Sequence, residues 1–407
     1  MNGVIHLSLA LVAFSVVSHG NHDVDHHHDH HDRGQAVSKI SDNTVQFATE
    51  LYKILSQRSD GKNIIYSPCS ISILLSVLLL GSKSKTHTEI LEGLSFNLTQ
   101  IREEEIHQGF HELLHMLTHS DHEFTLDIGQ GLFLRDDIQP LQTFLEKIKE
   151  FYEAEIQATK FQEPKEAEKQ INDYIEKKTH GKIVQLVKDL DIETRLVLTT
   201  YSYFKGNWKT PFDPQLTNEE DFFVDQNTTV KVQMMHREGW FNYYIDEKLS
   251  CTVVGMDYNG TATAIFVLPD PGKEKELEEG LSGDILHEWG KNLQRHTARV
   301  SIPKLNLSAT YSLKDPLGQL GITELFTDHA DLSGITEQPL KLSKVTHKVV
   351  LTVDEGGTEA AAATAGEAVP MSLPPKIVFN HPFLMFLIEK SVTTIITMAK
   401  IINPTQQ

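Results

Sequence analysis

The sequence predicts one large α+β domain, because helix-type and strand-type patterns occupy different parts of the chain. Apolar residues at helical spacing dominate the first half, and short apolar, β-branched runs dominate the second half. This segregation is typical of α+β folds rather than of repeated βαβ units. No Gly/Ser- or Pro-rich linker interrupts the chain after residue 40, and 40% of the 407 residues are hydrophobic. A single core can therefore extend over residues 41–407.

Helices are predicted along the first half from apolar spacing and from end signals. The apolar side chains of the first helix share one face: Phe47, Leu51, Ile54 and Leu55. Residues 67–80 are apolar nearly all round, which predicts a buried helix ending at Gly81. Thr86 and Glu89 have the spacing of a capping box, so the next helix is expected to begin there. Amphipathic helices are expected at 141–158 and 166–179.

Strands are predicted mainly in the second half. They are short runs rich in β-branched and aromatic residues, at 196–204, 261–268, 298–307, 349–353 and 394–402. The run 395–402 is apolar but too short for a membrane span, and it carries a charge.

The N-terminal residues predict secretion. Residues 1–20 contain an apolar stretch followed by small residues, as in a signal peptide, although the usual basic residue at the start is missing. Residues 21–40 are predicted to be a disordered His/Asp-rich tail, because the segment has little to bury. Four Asn-x-Ser/Thr sequons fit a secreted glycoprotein; they lie at Asn97, Asn227, Asn259 and Asn306.

Charge and cysteine content limit the function classes. A formal net charge of −19 argues against nucleic acid and anionic membrane surfaces as partners. Cys69 and Cys251 are too few for a disulfide scaffold. A buried thiol is favoured for Cys69, and a pairing of the two stays open.

The segment 354–375 has an unusual two-residue period. Its small side chains fall on one face of a strand, and both glutamates, Glu359 and Glu367, fall on the other. The small residues are Thr358, Ala360, Ala362, Thr364, Gly366 and Ala368. Three prolines near its end resist both helix and sheet. The segment suits both a buried strand and an exposed loop, whereas its Glu and Ala content alone favours a short surface helix or linker.

Several motifs in one order resemble the serpin family. The hinge of the segment resembles the reactive-loop hinge of inhibitory serpins and comprises Glu355, Gly356, Gly357, Thr358, Glu359, Ala360, Ala361, Ala362 and Ala363. Further similar motifs lie at 63–68, 204–208, 317–322 and 379–384, and 369–375 is similar to the reactive site of the antitrypsin-like branch. The resemblance implies a serpin fold with three β-sheets, about nine helices and an exposed reactive loop at about 355–375.

The resemblance also implies a function. It predicts a secreted, monomeric serine-protease inhibitor of blood plasma that acts as a suicide substrate, with Met371-Ser372 as the bait bond. The long, uncharged Met371 side chain suits elastase- and chymotrypsin-like pockets first, and trypsin-like pockets less well. The alternative is a non-inhibitory serpin that serves as a carrier or as a subunit of a plasma complex. A further plasma partner protein stays open.

Six further positions match serpin residues that control opening of the main sheet. Ser67, Ser70 and His347 match a polar cluster beneath the sheet, and Thr200 stands where the family commonly has asparagine. Lys304 and Glu355 match a pair that is often ion-paired, and Trp208 matches a packing residue nearby.

Two histidine-rich segments are candidates for metal binding. His111, Glu112 and His115 form the His-Glu-x-x-His pattern of zinc peptidases, but Thr118 replaces the glycine of the extended pattern. His107 and His119 extend the stripe of histidines at four-residue steps. The tail offers six more histidines, His22, His26, His27, His28, His30 and His31. The sequence assigns no catalytic residue, no cofactor and no metal site, and it leaves metal binding by the helix or the tail open.

Overall fold

The computed structural model describes residues 34–119, 123–356 and 373–406, and within them helices predominate before residue 180 and strands after it. The α-helices are α1 Gln35–Ser38, α2 Ser41–Gln57, α3 Pro68–Gly81, α4 Ser84–Gly93, α5 Glu103–Thr118, α6 Gln142–Tyr152, α7 Pro164–Lys178, α8 Glu274–Gly280, α9 Gly283–Asn292 and α10 Lys314–Gln319. The strands are β1 Ile64–Tyr66, β2 Phe124–Arg135, β3 Ile156–Thr159, β4 Leu196–Gly206, β5 Asn218–Phe223, β6 Thr229–Asp246, β7 Cys251–Asp257, β8 Ala262–Pro269, β9 Gln294–Pro303, β10 Leu305–Ser312, β11 Lys344–Val353, β12 Lys376–Val378, β13 Phe383–Glu389 and β14 Thr394–Ile401.

The strands form two hydrogen-bonded networks. The first is a five-stranded sheet in the order β10-β11-β4-β2-β3. The second has nine strands in the order β1-β14-β13-β8-β7-β6-β9-β12, with β5 paired to β6. Two sections of this larger network share the long strand β6, which pairs with β7 at one end and with β5 at the other. With the five-stranded sheet these sections make the three sheets expected, beside ten helices in the described residues where about nine were expected.

Both faces of the five-stranded sheet are covered. Helix α3 is buried on nearly every side and lies in the main core, where it contacts β4. On the opposite face α7 buries Ala167, Ile171 and Ile175 against Val197 and Tyr201 of β4. The sheet is therefore held between a buried helix and an amphipathic one, as the apolar patterns of the two helices require.

Two predicted elements are divided in the structure. Residues 298–307, predicted as one strand, belong to β9 and β10, which lie in different networks on either side of Lys304. Residues 141–158, predicted as one helix, form α6 and β3, because Glu153 adopts a left-handed conformation (φ 50°) that ends the helix. In both cases an apolar pattern continues across a change of backbone direction, so periodicity alone does not locate the break.

The capping-box prediction at Thr86 and Glu89 is wrong. Helix α4 begins at Ser84, so Thr86 lies inside its first turn, where its hydroxyl accepts a hydrogen bond from the Asp331 amide at 2.9 Å. Glu89 instead accepts hydrogen bonds from the backbone amides of Thr323 and Glu324 at 3.1 and 2.9 Å. Both side chains satisfy backbone donors that are distant in sequence, and a local pattern gives no sign of this.

The end of the predicted tail is ordered. Residues 35–38 form α1, Val37 and Ile40 are buried, and Glu112 accepts hydrogen bonds from the Gly34 and Val37 amides. The expectation of disorder over 21–40 therefore does not hold for 34–40. The predicted signal peptide at 1–20 and residues 21–33 lie outside the described residues. Within the described ranges no helix combines the length and apolarity needed to cross a membrane.

The two cysteines are free and buried. Burial raises the pKa of Cys69 to about 11 and that of Cys251 to about 12. Both side chains are protonated at neutral pH and act as small apolar groups in the core.

Replacing Gly334 by alanine should destabilise the protein. A Cβ atom at this position would lie 2.9 Å from backbone atoms of Gly81, whose carbonyl oxygen also accepts the Gly334 amide hydrogen bond. Because backbone cannot move aside as a flexible side chain does, we expect a loss of about 1–3 kcal/mol in the free energy of unfolding. Chemical denaturation measures it. Gly318→Ala is the matched control, since a Cβ atom there meets nothing within 4 Å; an equal loss in both variants would contradict the explanation.

Candidate functional site

The hinge and the exit of the predicted reactive loop belong to different sheets. The hinge follows directly after Val353, the last residue of β11 in the five-stranded sheet. The chain is described again at Leu373, which is 87% exposed, and then forms β12, which pairs with β9 in the nine-stranded network. Residues 357–372 lie outside the described residues. They include the predicted bait bond Met371-Ser372 and the hinge residues Gly357, Thr358, Glu359, Ala360, Ala361, Ala362 and Ala363.

The base of the hinge is fixed through Glu355. Its carboxylate lies 2.9 Å from the Lys304 ammonium and accepts a hydrogen bond from the Thr217 hydroxyl at 2.7 Å. Its carbonyl oxygen accepts the Phe212 amide at 3.0 Å. Partial burial opposes ionisation, but the contacts with Lys304 and Thr217 outweigh it and lower the pKa of Glu355. Glu355 is therefore charged at neutral pH and ties the start of the loop to its surroundings.

Trp208, two residues after the end of β4, also contacts the base of the hinge. Its indole nitrogen donates to the Asp354 carbonyl oxygen at 2.9 Å, and its ring stacks on Tyr258 with the ring centroids 3.9 Å apart. Gly356 has φ 47°, and a Cβ atom there would lie 3.0 Å from the Trp208 ring. The tryptophan thus packs directly against the first residues of the hinge and holds them at the end of the sheet.

The predicted polar cluster lies at the junction of β4 and β11. His347 of β11 faces Thr200 of β4 in the parallel register, and its Nε2 accepts the Ser67 amide hydrogen bond at 2.9 Å. The Ser70 hydroxyl donates to the Ser67 carbonyl oxygen at 3.3 Å. Within the described residues, Thr200 Oγ1 and the neighbouring Thr199 Oγ1 are buried without a hydrogen-bond partner. A buried hydroxyl without a partner costs about 1–3 kcal/mol, and of the two threonines only Thr200 points to the side of the sheet where Ser67 and His347 lie.

Three contributors to the hinge were missed in the sequence. Thr217 bonds to Glu355, Tyr258 stacks on Trp208, and Lys205 lies 3.8 Å from the Asp354 carboxylate. Lys205 lies in the motif at 204–208, so it could have been found by that motif. Thr217 and Tyr258 are close to the hinge because of the tertiary fold, and no motif in their own sequence neighbourhood indicates this.

The described residues do not assemble the zinc-peptidase pair. Glu112, the expected general base, accepts hydrogen bonds from the Gly34 and Val37 amides at 2.5 and 2.7 Å. His111 Nδ1 contacts the Phe151 carbonyl oxygen at 2.9 Å. With its carboxylate engaged in capping α1, Glu112 is not directed at a ligand shared by His111 and His115, so the pattern has no catalytic geometry.

The four sequons lie at accessible places. Asn97, Asn227 and Asn306 are exposed and Asn259 is partly exposed. Asn306, which the sequence places in a strand, is exposed on β10, which among the described residues is an edge strand paired with β11 alone. An edge position leaves room for a glycan that the middle of a sheet would not.

A comparison with protein families gives the identity of the fold. The family model described as "Serpin (serine protease inhibitor)" matches residues 42–404. The chain belongs to the serpin family. Two similar curated proteins are the alpha-1-antiproteinases of Bos taurus and Rattus norvegicus. The first is 46% identical over 399 residues (98% of this chain, 96% of the relative) and the second 49% identical over 376 residues (92% of each).

Solved structures of other serpins share its fold. Human thyroxine-binding globulin, solved with thyroxine, matches with a TM-score of 0.85 and 39% identity, covering 91% of this chain and 100% of its own. Human glycosylated kallistatin also matches with a TM-score of 0.85 and 39% identity, covering 92% of this chain and 100% of its own. The α+β serpin fold expected from the sequence motifs is confirmed.

The buried His347 of this serpin should stay neutral in mild acid. Burial lowers its pKa from 6.5 to about 3, against an opposing interaction with the Thr200 backbone. Below pH 6.5 this histidine binds a proton in the unfolded chain but stays neutral in the folded protein. Acid therefore favours the unfolded chain, and the free energy of unfolding falls as the pH falls. By pH 5 we expect the loss to be about 2 kcal/mol.

Nitrogen NMR of the histidine rings tests this prediction at pH 5. The expected spectrum shows a neutral His347 ring with its proton on Nδ1, because Nε2 accepts a hydrogen bond. A ring that titrates near pH 6.5 would show that the cluster is hydrated. His347→Gln should flatten the dependence of the unfolding free energy on pH between 7 and 5.

Proposed function

We propose that this serpin is a secreted inhibitor of serine proteases that traps its target by inserting its own loop into the five-stranded sheet. The single observation that carries this proposal is the parallel pairing of β4 and β11, with the loop hinge starting directly at the end of β11. The names of the antiproteinase relatives, at 46–49% identity, support the inhibitor class.

In this proposal the loop would insert between β4 and β11. β4 and β11 run in the same direction and pair in register from Lys344↔Val197 to Leu351↔Phe204. A segment that turns back after β11 would run antiparallel to both neighbours. Insertion would replace one parallel pairing by two antiparallel pairings, which are slightly more stable per residue. The small side chains predicted for the inward face of the loop would enter with little steric cost.

The intact loop is held at both ends. Its hinge leaves β11 in one network, and its exit enters β12, which pairs with β9 in the other. Full insertion would require the exit to leave that network, as long as the chain is continuous. Cutting within residues 357–372 removes the constraint, so the protease itself would release the strand.

The chemical step would be acylation of the protease without the hydrolysis that normally follows it. The protease serine attacks the Met371 carbonyl carbon and forms an ester, and the bond to the Ser372 nitrogen breaks with a proton going to that amine. Loop insertion would then carry the esterified enzyme away before water hydrolyses the ester. The serpin supplies the bait and the strand, and the protease supplies the catalytic groups, so the serpin is not an enzyme in this scheme.

Met371 sets the expected targets. Methionine is long, unbranched and uncharged, and it adapts to apolar pockets of medium size. Elastase- and chymotrypsin-like enzymes are therefore proposed first, and trypsin-like enzymes would bind more weakly because their pocket carboxylate would lack a cation. We propose a monomer that acts in an extracellular fluid such as plasma.

A small-molecule carrier is the alternative. Thyroxine-binding globulin, whose structure was solved with thyroxine, is 39% identical. Bulky or charged side chains at the inward hinge positions would favour a carrier that never inserts its loop. This chain has Thr358, Ala360, Ala362 and Thr364 there, so inhibition is the better-supported function.

Incubation with elastase or chymotrypsin followed by a denaturing gel tests the proposal. The native chain should form a covalent adduct that survives denaturation and should release a C-terminal peptide of 36 residues (407 − 371). In Ala362→Glu a charge must enter the sheet interior, which costs several kcal/mol, so most of the protein should be cut without forming an adduct.

Ala361→Glu is the matched control. Its side chain is predicted to face water after insertion, so its adduct yield should stay close to that of the native chain. Cleavage without adduct in the native chain would favour a carrier and refute inhibition by trapping. Equal adduct yields in the Ala361 and Ala362 variants would refute the predicted facing of the loop.

A further inference from the structure

The histidines of α5 divide into two pairs with different surroundings. His107 is buried, with Nδ1 2.6 Å from the Tyr152 hydroxyl and Nε2 3.3 Å from Glu103. His111 contacts the Phe151 carbonyl oxygen through Nδ1. These two rings join α5 to α6 within the protein. The next two along the helix, His115 and His119, are exposed.

His115 and His119 meet a carboxylate from the neighbouring helix. One ring nitrogen of each histidine and a Glu153 carboxylate oxygen all lie within 4.8 Å of one another. His119 Nε2 is 2.7 Å from Glu153 Oε2, and the His115 and His119 ring centroids are 4.8 Å apart. The side chains of His119 and Glu153 are 46% and 49% exposed, so the three ligand atoms are open to solvent on one side.

The backbone explains why these three groups converge. His115 lies in the last turn of α5, and His119 follows at its C-cap, with its amide donating to the His115 carbonyl oxygen at 2.9 Å. Glu153 is the C-cap of α6 and takes the left-handed conformation (φ 50°). Two helix C-termini therefore face one point, and the partial negative charge at such ends favours a cation.

We propose that His115, His119 and Glu153 form a binding site for a divalent transition metal of the zinc type. Two imidazoles and one carboxylate are the ligand set of many three-ligand zinc sites, in which water occupies the fourth position. Imidazole ligands select Zn²⁺, Cu²⁺ or Ni²⁺ over Mg²⁺ and Ca²⁺, which prefer oxygen ligands. The 2.7 Å separation of His119 and Glu153 would lengthen to about 3.3 Å, the distance between two ligand atoms on a tetrahedral zinc ion.

The site differs in kind from the histidine-rich tail. Its ligands come from two helices that are joined only in the folded protein, so a metal bound there stabilises the folded state. The tail histidines lie within ten residues of one another in sequence, and they can bind metal whether or not the rest of the chain is folded. Metal-dependent thermal stability therefore reports on the proposed site and not on the tail.

Thermal unfolding of the full chain, with and without Zn²⁺ after chelator treatment, tests the proposal. Saturating Zn²⁺ should raise the melting temperature by about 2 °C, and Mg²⁺ should leave it unchanged. His115→Ala, His119→Gln and Glu153→Gln should each remove at least half of the zinc-dependent shift. His287→Ala, which removes an exposed histidine from α9, should keep the full shift.

A second full-length variant, with the six tail histidines replaced by asparagine, separates the two kinds of site. It should keep the zinc-dependent shift, and equilibrium dialysis should count one Zn²⁺ per chain that is lost on adding Glu153→Gln. The proposal is overturned by any of three results: no zinc-dependent shift in the native chain, a full shift in any of the three ligand variants, or loss of the shift in the tail variant.

Discussion

The pairing of β4 with β11 is the constraint on which the rest of this structure depends. Two long parallel strands lie next to each other in the interior of a sheet, and the segment that we propose to insert between them follows the end of one. Parallel strands normally need a long crossover connection, and here a whole subdomain of sheet and helix separates them in sequence. If β4 and β11 separated, a third strand could pair with both of them.

Opposing interactions set how firmly this junction is closed. At the hinge end, the Lys304–Glu355 ion pair and the Trp208 indole hold the first loop residues in place. In the middle of the junction, on opposite faces of the sheet, the hydroxyls of Thr199 and Thr200 are buried without hydrogen-bond partners among the described residues. The junction is thus secured at its end and weakened at its centre.

The sequence predicts those parts of the fold that local chemistry determines. Residues 67–80 are apolar nearly all round and coincide within one residue at each end with α3, the buried helix, because no polar face is available for solvent. The alternation at 358–364 and the hinge motif predict a loop able to become a strand, which stays a prediction because these residues lie outside the described ranges. Failures occur where a distant segment decides the outcome: Thr86 and Glu89 serve amides far along the chain, and the break at Lys304 divides one apolar run between two networks.

The residues of the proposed metal site show the same limit. The sequence pattern directs attention to His111, Glu112 and His115, which match a known motif. In the fold Glu112 caps α1, and Glu153, thirty-four residues beyond His119, completes a different cluster. No spacing rule connects Glu153 to α5, because their proximity follows from how α5 and α6 pack.

The most direct test of the account is the melting temperature of the protein after its loop is cut. A metalloprotease forms no acyl-enzyme and can cut within residues 357–372 without being trapped. If the intact protein is held short of its most stable arrangement by an uncut loop, the cut protein should melt at a markedly higher temperature than the intact one. Equal or lower melting of the cut protein would show that the sheet accepts no further strand, and the central claim would be wrong.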